Sequence, residues 1–156
     1  MGERNETDEE RLDRKFQDML QELRVMQTGA QLTAGFLLTL PFQDPFADLD
    51  QLQRTVYLAL VVGAGLTTAL LLTPVAIHRK LTGAHVKERV VKSTHRLMAA
   101  ALTTLATIIV GIIFFTFDVV IDRTTACVAA GAMALVVAGL LLALPYSLAG
   151  GPADPD

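Results

Sequence analysis

A single cysteine, Cys127, is all the thiol chemistry in this chain of 156 residues. One cysteine closes no intrachain disulfide and completes no redox pair or zinc site, which leaves the reading of a small buried thiol. Charge is scarce where it would matter most. Charged residues make up 19% of the chain, yet none lies near the middle of its four long apolar blocks. Ionisable groups deep in a bilayer mark proton relays and voltage sensors. Their absence argues against both, and it leaves open a channel lined by hydroxyls, amides and backbone.

Catalytic sets are missing as well. The chain has no Ser/His/Asp or Cys/His arrangement, no glycine loop to cradle phosphate and no buried pair of carboxylates, so no enzyme is expected. Its histidines, His78, His85 and His95, are seven and ten residues apart, which misses the i, i+3 or i, i+4 spacing of a helical metal site. No metal, cofactor or nucleic-acid partner is expected. The first twenty or so residues are acidic and polar rather than basic and then apolar, so no cleaved signal peptide is expected either.

What the chain has is long uncharged segments. Val56 to Ile77, Leu97 to Phe117 and Ala126 to Leu148 lack Asp, Glu, Lys and Arg. Each is long enough to cross about 30 Å of hydrocarbon at roughly 1.5 Å per residue. Val25 to Phe42 is shorter and carries Gln27, Thr28, Gln31, Thr33 and Thr39, but it has no formal charge and ends in turn-forming residues 41–45. It is counted as a span. The expected fold is therefore all-α, a four-helix transmembrane bundle over residues 1–150 with spans at 25–42, 56–77, 97–117 and 126–148, followed by a short tail at 151–156.

Cations decide the orientation. Lys and Arg in short loops stay in the cytoplasm. Arg4, Arg11, Arg14, Lys15 and Arg24 precede the first span, and Arg79, Lys80, Lys87, Arg89, Lys92 and Arg96 lie between the second and third. The remaining loops hold Arg54 and Arg123, with Asp44, Asp48, Asp50, Asp118 and Asp122. Both termini are expected inside, in a multi-pass protein of the plasma membrane. The net charge of -3 hides an acidic segment before residue 25 and a basic one at 78–96 on the same side.

Helical periodicity extends beyond the membrane. Leu12, Phe16, Met19, Leu20 and Leu23 recur at three- and four-residue steps, the stripe of an amphipathic extension over 8–24. Helix 1 is expected from Asp8 to Leu40. Helix 2 should end near Lys80 before Gly83, and helix 3 should begin near Ala84. Helices 1 and 3 then reach into the cytoplasm. Pro74 removes one bond within helix 2, with Thr73 placed to compensate. Small residues at 63–65, 99–101 and 129–132 allow close helix approach.

The halves also resemble each other. Leu23-Arg24-Val25-Met26 matches His95-Arg96-Leu97-Met98, Arg54-Thr55 matches Arg123-Thr124 and Pro74 matches Pro145, a pattern consistent with two tandem helical hairpins in a parallel repeat.

Polarity collects at one depth. Arg24, Gln27, Thr28 and Gln31 share a face at the inner end of helix 1, level with His78, Arg79, His95 and Arg96 and just above Glu22. A Gln facing lipid leaves its amide unpaired, so Gln27 and Gln31 should face protein. Three readings stay open: the inner vestibule of a pore, a ligand or headgroup site, or hydrogen bonds that hold helices or copies together. His85, Arg89, Lys92 and Arg96 share a face suited to anionic lipid headgroups, to the acidic residues of helix 1, or to water.

Glu22-Leu23-Arg24-Val25, Gln27-Thr28-Gly29, Gln31, Phe36-Leu37-Leu38, Leu40-Pro41-Phe42, Phe46, Arg54, Tyr57, Pro74 and His78-Arg79 resemble an uncharacterised family of small four-span membrane proteins from actinobacteria. The resemblance is looser over spans three and four. It implies a bacterial plasma membrane and no particular activity. The functional expectation is an oligomeric membrane protein, a small channel or transport component using the inner polar cluster. The alternatives are an accessory or scaffold subunit that docks a membrane-complex partner through its cytoplasmic helices, and an anionic-lipid binder.

Overall fold

Residues 8–81 and 87–144 are described in the computed structural model of this chain, and the side chains of 8, 9, 12, 13, 15, 16, 45, 78–81 and 87–93 lie outside that description. The described residues form helices and tight turns, in the order set by the apolar blocks. Helix α1 covers Asp8–Thr39, as the unbroken periodicity predicts. Two short 3-10 turns, Leu40–Phe42 and Asp44–Asp48, follow it, because Pro41 and Pro45 have no N–H to carry an α-helix onward. Helix α2 spans Gln51–Leu81, α3 Lys87–Val120 and α4 Arg123–Ala138, the last continuing as a π-helical turn through Gly139–Ala143. The expected stop at Gly83, the start of helix 3 near Ala84, Pro145 and the tail fall outside the described residues.

Three helical segments are long and apolar enough to cross a membrane, Gln51–Ile77, Thr94–Val120 and Arg123–Ala143. Helix α1 is longer than needed, with 32 residues, but Gln27, Gln31 and its threonines dilute its apolar character. Helix α3 runs three residues past the expected span, carrying Asp118 within the helix rather than in a loop. Helix α4 starts three residues earlier than the expected span, because Asp122 caps it: the Thr125 N–H and hydroxyl both donate to its carboxylate, at 3.0 and 2.8 Å. A cap of this kind satisfies an N–H that a helix start otherwise leaves orphaned.

Two compact units divide the chain, one from Met1–Ala47 and Val61–Leu105, the other from Asp48–Leu60 and Ala106–Asp156. In the first, Leu23 and Ala30 of α1, Leu71 of α2, and Met98 and Ala101 of α3 form a buried cluster, with Met19, Leu20, Met26 and Leu70 packed against it. The amphipathic stripe expected before the first span is thus spent partly on internal packing. In the second unit the rings of Tyr57 and Phe115 lie 6.1 Å apart at 43°, within the range of favourable aromatic pairs. Gly111 lets α3 close on Leu60 of α2: a Cβ there would sit 2.6 Å from Leu60 Cδ2.

Hydroxyls inside the helices bond to their own backbone. Thr28, Thr33, Thr67, Thr68, Thr103 and Thr104 each donate to the carbonyl four residues back, which lets a polar residue sit in an apolar helix. Thr73 does the same, giving its proton to Ala69 O at 2.8 Å. That is one residue short of Leu70, whose carbonyl loses its donor to Pro74. The expected compensation is therefore not made by this hydroxyl.

Large apolar side chains stay uncovered along the spans, among them Val62 at 71% and Leu135 at 76% exposure. An uncovered apolar surface of this kind suits lipid and other helices rather than water.

Candidate functional site

Two polar places stand out, one in each unit. The first is the inner end of α1 and α3. Leu23 and Ala30 turn one face of α1 into the core, and the helical twist then sets the exposure of the residues between them. Glu22, Arg24, Thr28 and Gln31 are exposed and Gln27 is half-buried. Thr28 donates its hydroxyl to Arg24 O at 3.0 Å. On α3, Met98 and Ala101 face the core, and His95 and Arg96 are exposed. Among the described residues, no hydrogen bond or ion pair joins Glu22, Arg24, Gln27, Gln31, His95 and Arg96 to one another. The side chains of His78, Arg79, Arg89 and Lys92, and all of His85, lie outside the described residues.

No sequence motif marks Thr94. It is fully buried, and among the described residues its hydroxyl has no hydrogen-bond partner. Its position four residues before Met98 and seven before Ala101 puts it on the core stripe of α3. That spacing is the signal that would have found it.

The second place is where α2 and α4 begin. Asp50 and Gln53 cap α2 reciprocally: Gln53 N–H donates to Asp50 Oδ1 at 2.8 Å, and Asp50 N–H to Gln53 Oε1 at 2.9 Å, the pairing of a capping box. Gln53 also gives an Nε2 proton to the carbonyl of Asp118 at 3.2 Å. Arg123, the first residue of α4, donates from Nη2 to Asp50 Oδ2 at 2.6 Å and to Asp118 Oδ2 at 3.3 Å, and from Nε to Asp118 Oδ1 at 3.2 Å. The Asp118 side chain is only 2% exposed, and a carboxylate so placed needs its bidentate partner.

These contacts set the nearby acids. The Gln53 N–H, followed by the Arg123 guanidinium, holds the Asp50 carboxyl below its ordinary 3.8. The Thr125 N–H and hydroxyl do the same for Asp122. The charge pattern alone places Asp50, Asp118 and Arg123 in loops, whereas Asp118 lies in the last turn of α3 and Arg123 opens α4.

The match between Arg54-Thr55 and Arg123-Thr124 also changes meaning. Arg54, the fourth residue of α2, donates from Nε to Leu49 O at 3.1 Å, whereas Arg123 opens α4. The caps Asp50 and Asp122 correspond better, each accepting from the N–H three residues on.

No curated protein and no solved structure matches this chain. A protein-family model described as a family of unknown function, DUF6328, matches residues 5–145. That match spans all four helices, and the chain belongs to this uncharacterised family.

Proposed function

We propose that this chain is a four-span protein of the plasma membrane that works as an oligomer, a small channel or transport component built around the polar end of α1. One observation carries the reading: α1 is of spanning length, yet Thr28 and Gln31 are exposed along it. In hydrocarbon an unpaired amide is costly, so this face calls for a second copy or for water.

The cation count supports α1 as the fourth span. With three spans, the basic segments before residue 25 and at 78–96 would lie on opposite sides. With four they share the cytoplasm, and both termini do too. Reporter fusions test the topology: tags at the N-terminus and after residue 144 should both report the cytoplasm, and opposite sides would refute four spans. Native mass spectrometry in lipid nanodiscs tests the oligomer, and solute flux into liposomes tests transport. A monomer at every concentration removes the channel reading.

Exposure of His95 and Arg96 supports a second role, contact with anionic headgroups near the inner face. Anionic lipid retained through purification, and lost in His95→Ala/Arg96→Ala, is its expected sign. The scaffold alternative has less surface available, since Met19 and Leu20 pack on the chain's own core.

A further inference from the structure

We propose that Thr28, Gln31 and Gly35 form the contact of α1 with a second copy of this chain, centred on a symmetric pair of Gln31 amides. The inference rests on the oligomeric reading above and names the surface that carries it. At about 100° per residue these three positions fall within about 60° of one another around the helix, and all three are exposed. Leu23 and Ala30, the α1 members of the buried cluster, lie on a different face.

The chemistry of Gln31 selects the occupant. Its amide makes no hydrogen bond among the described residues, and lipid chains offer it neither donor nor acceptor. An amide carries both, so it is complementary to itself. Across a two-fold axis the same patch meets itself: Nε2–H of one Gln31 donates to Oε1 of Gln31 of the partner subunit, and the reverse bond forms with it. Copies inserted the same way into a membrane meet about an axis normal to it, which is the symmetry this pairing needs.

The flanking residues allow the approach. Thr28, one turn toward the inner end, has already given its hydroxyl proton to Arg24 O, so it presents a small surface with no free donor. Gly35 lies one turn the other way, and a Cβ added there would meet nothing within 4 Å in its own chain. The chain's own packing leaves this position open, so a second helix backbone has room to approach closely here. Arg24 continues the face inward, where its long side chain reaches the headgroup layer and keeps its charge out of the contact.

The test uses the full chain in liposomes with Cys127→Ser as background. Single cysteines are introduced as Gln31→Cys and Gly35→Cys, with Val25→Cys and Phe36→Cys as exposed controls on another face of α1. Mild oxidation should convert most of the first two to covalent dimer and leave the controls monomeric. In the otherwise native chain, Gly35→Ile and Gln31→Leu should shift native mass spectra toward monomer with an unchanged helix content by circular dichroism, and Gly29→Ala should not shift them. Equal cross-linking at Phe36→Cys, or an unchanged oligomer in Gly35→Ile, overturns the proposal. So does ready labelling of Gln31→Cys by a membrane-impermeant thiol reagent, which would mean a water-lined face. An oligomer cross-linked instead through Val128→Cys or Leu135→Cys on α4 sinks this interface and leaves the oligomeric reading standing. A native chain that stays monomeric ends both.

Discussion

Arg123 reaches back along the chain to Asp50, Nη2 to Oδ2 at 2.6 Å, although 73 residues separate them. The same guanidinium holds Asp118, five residues before it, by both carboxylate oxygens. One side chain thus ties the cap of α2, the last turn of α3 and the first residue of α4. The two partners differ in kind. Asp50 is half-exposed and has Gln53 besides, while the Asp118 carboxylate is buried and, among the described residues, its side chain bonds Arg123 alone.

Removing the guanidinium should therefore cost more than removing the pair. Arg123→Gln leaves a buried carboxylate without its counter-charge and should lower the thermal midpoint in detergent by several degrees. Asp118→Asn in the same chain should recover much of that loss, because the buried charge is then gone. If single and double variants melt together, Arg123 does not stabilise the helix ends through Asp118.

Acid should loosen the same region. Asp50 and Asp122 have folded-state pKa values below the ordinary 3.8, so their contribution is fully present above about 3.8. It is lost as the pH falls below that value through the lower folded-state pKa. A melting series from about pH 6 to pH 3 should fall steeply only at its acid end, and Asp50→Asn/Asp122→Asn should flatten that fall. An unchanged slope in the double variant would reject the assignment.

The contact at Gly111 predicts a steric effect. An added Cβ would lie 2.6 Å from Leu60 Cδ2 and 3.6 Å from Cγ, so Leu60, only 6% exposed, must turn away. Gly111→Ala should cost about 1 kcal/mol, the strain being partly offset by better helix propensity. Gly111→Leu should cost about 3 kcal/mol. Gly131→Leu, where nothing lies within 4 Å, should be neutral in detergent unfolding. Equal losses at the two glycines would contradict the packing described.

Thr94 and Thr67 are both fully buried, and they should respond differently to loss of the hydroxyl. The Thr67 hydroxyl donates to Gly63 O at 2.9 Å, whereas that of Thr94 has no partner among the described residues. Thr94→Val removes an unpaired polar group and should raise stability by about 1 kcal/mol, while Thr67→Val should be neutral or slightly costly. A drop for Thr94→Val would mean that its hydroxyl is satisfied by a water or ligand, and the position would then merit study by transport assay.

Much of the architecture was legible because it is local. Asp8, Leu40 and Lys80 mark helix ends within a residue of those observed, since hydrophobic periodicity and proline act over a few residues. Local pattern misplaces the last turn of α3 for the same reason. Asp118 reads as a loop residue because an isolated charge at the edge of an apolar block resembles a boundary, and nothing nearby in sequence announces that Arg123 and Asp50 will neutralise it. Thr94 is not legible in the sequence because a hydroxyl on a helix stripe looks alike whether it is bonded or orphaned.

The sequence by itself determined the helices, the three segments apolar enough to cross a membrane, and the clustering of polar residues near one end of α1. All of these follow from the identity and spacing of neighbours along the chain. Only the tertiary structure decided which face of α1 turns outward with Thr28, Gln31 and Gly35, and which carboxylates Arg123 holds. The physical reason is that exposure and charge pairing depend on the approach of segments up to 73 residues apart, and that approach is set by how side chains pack rather than by local pattern.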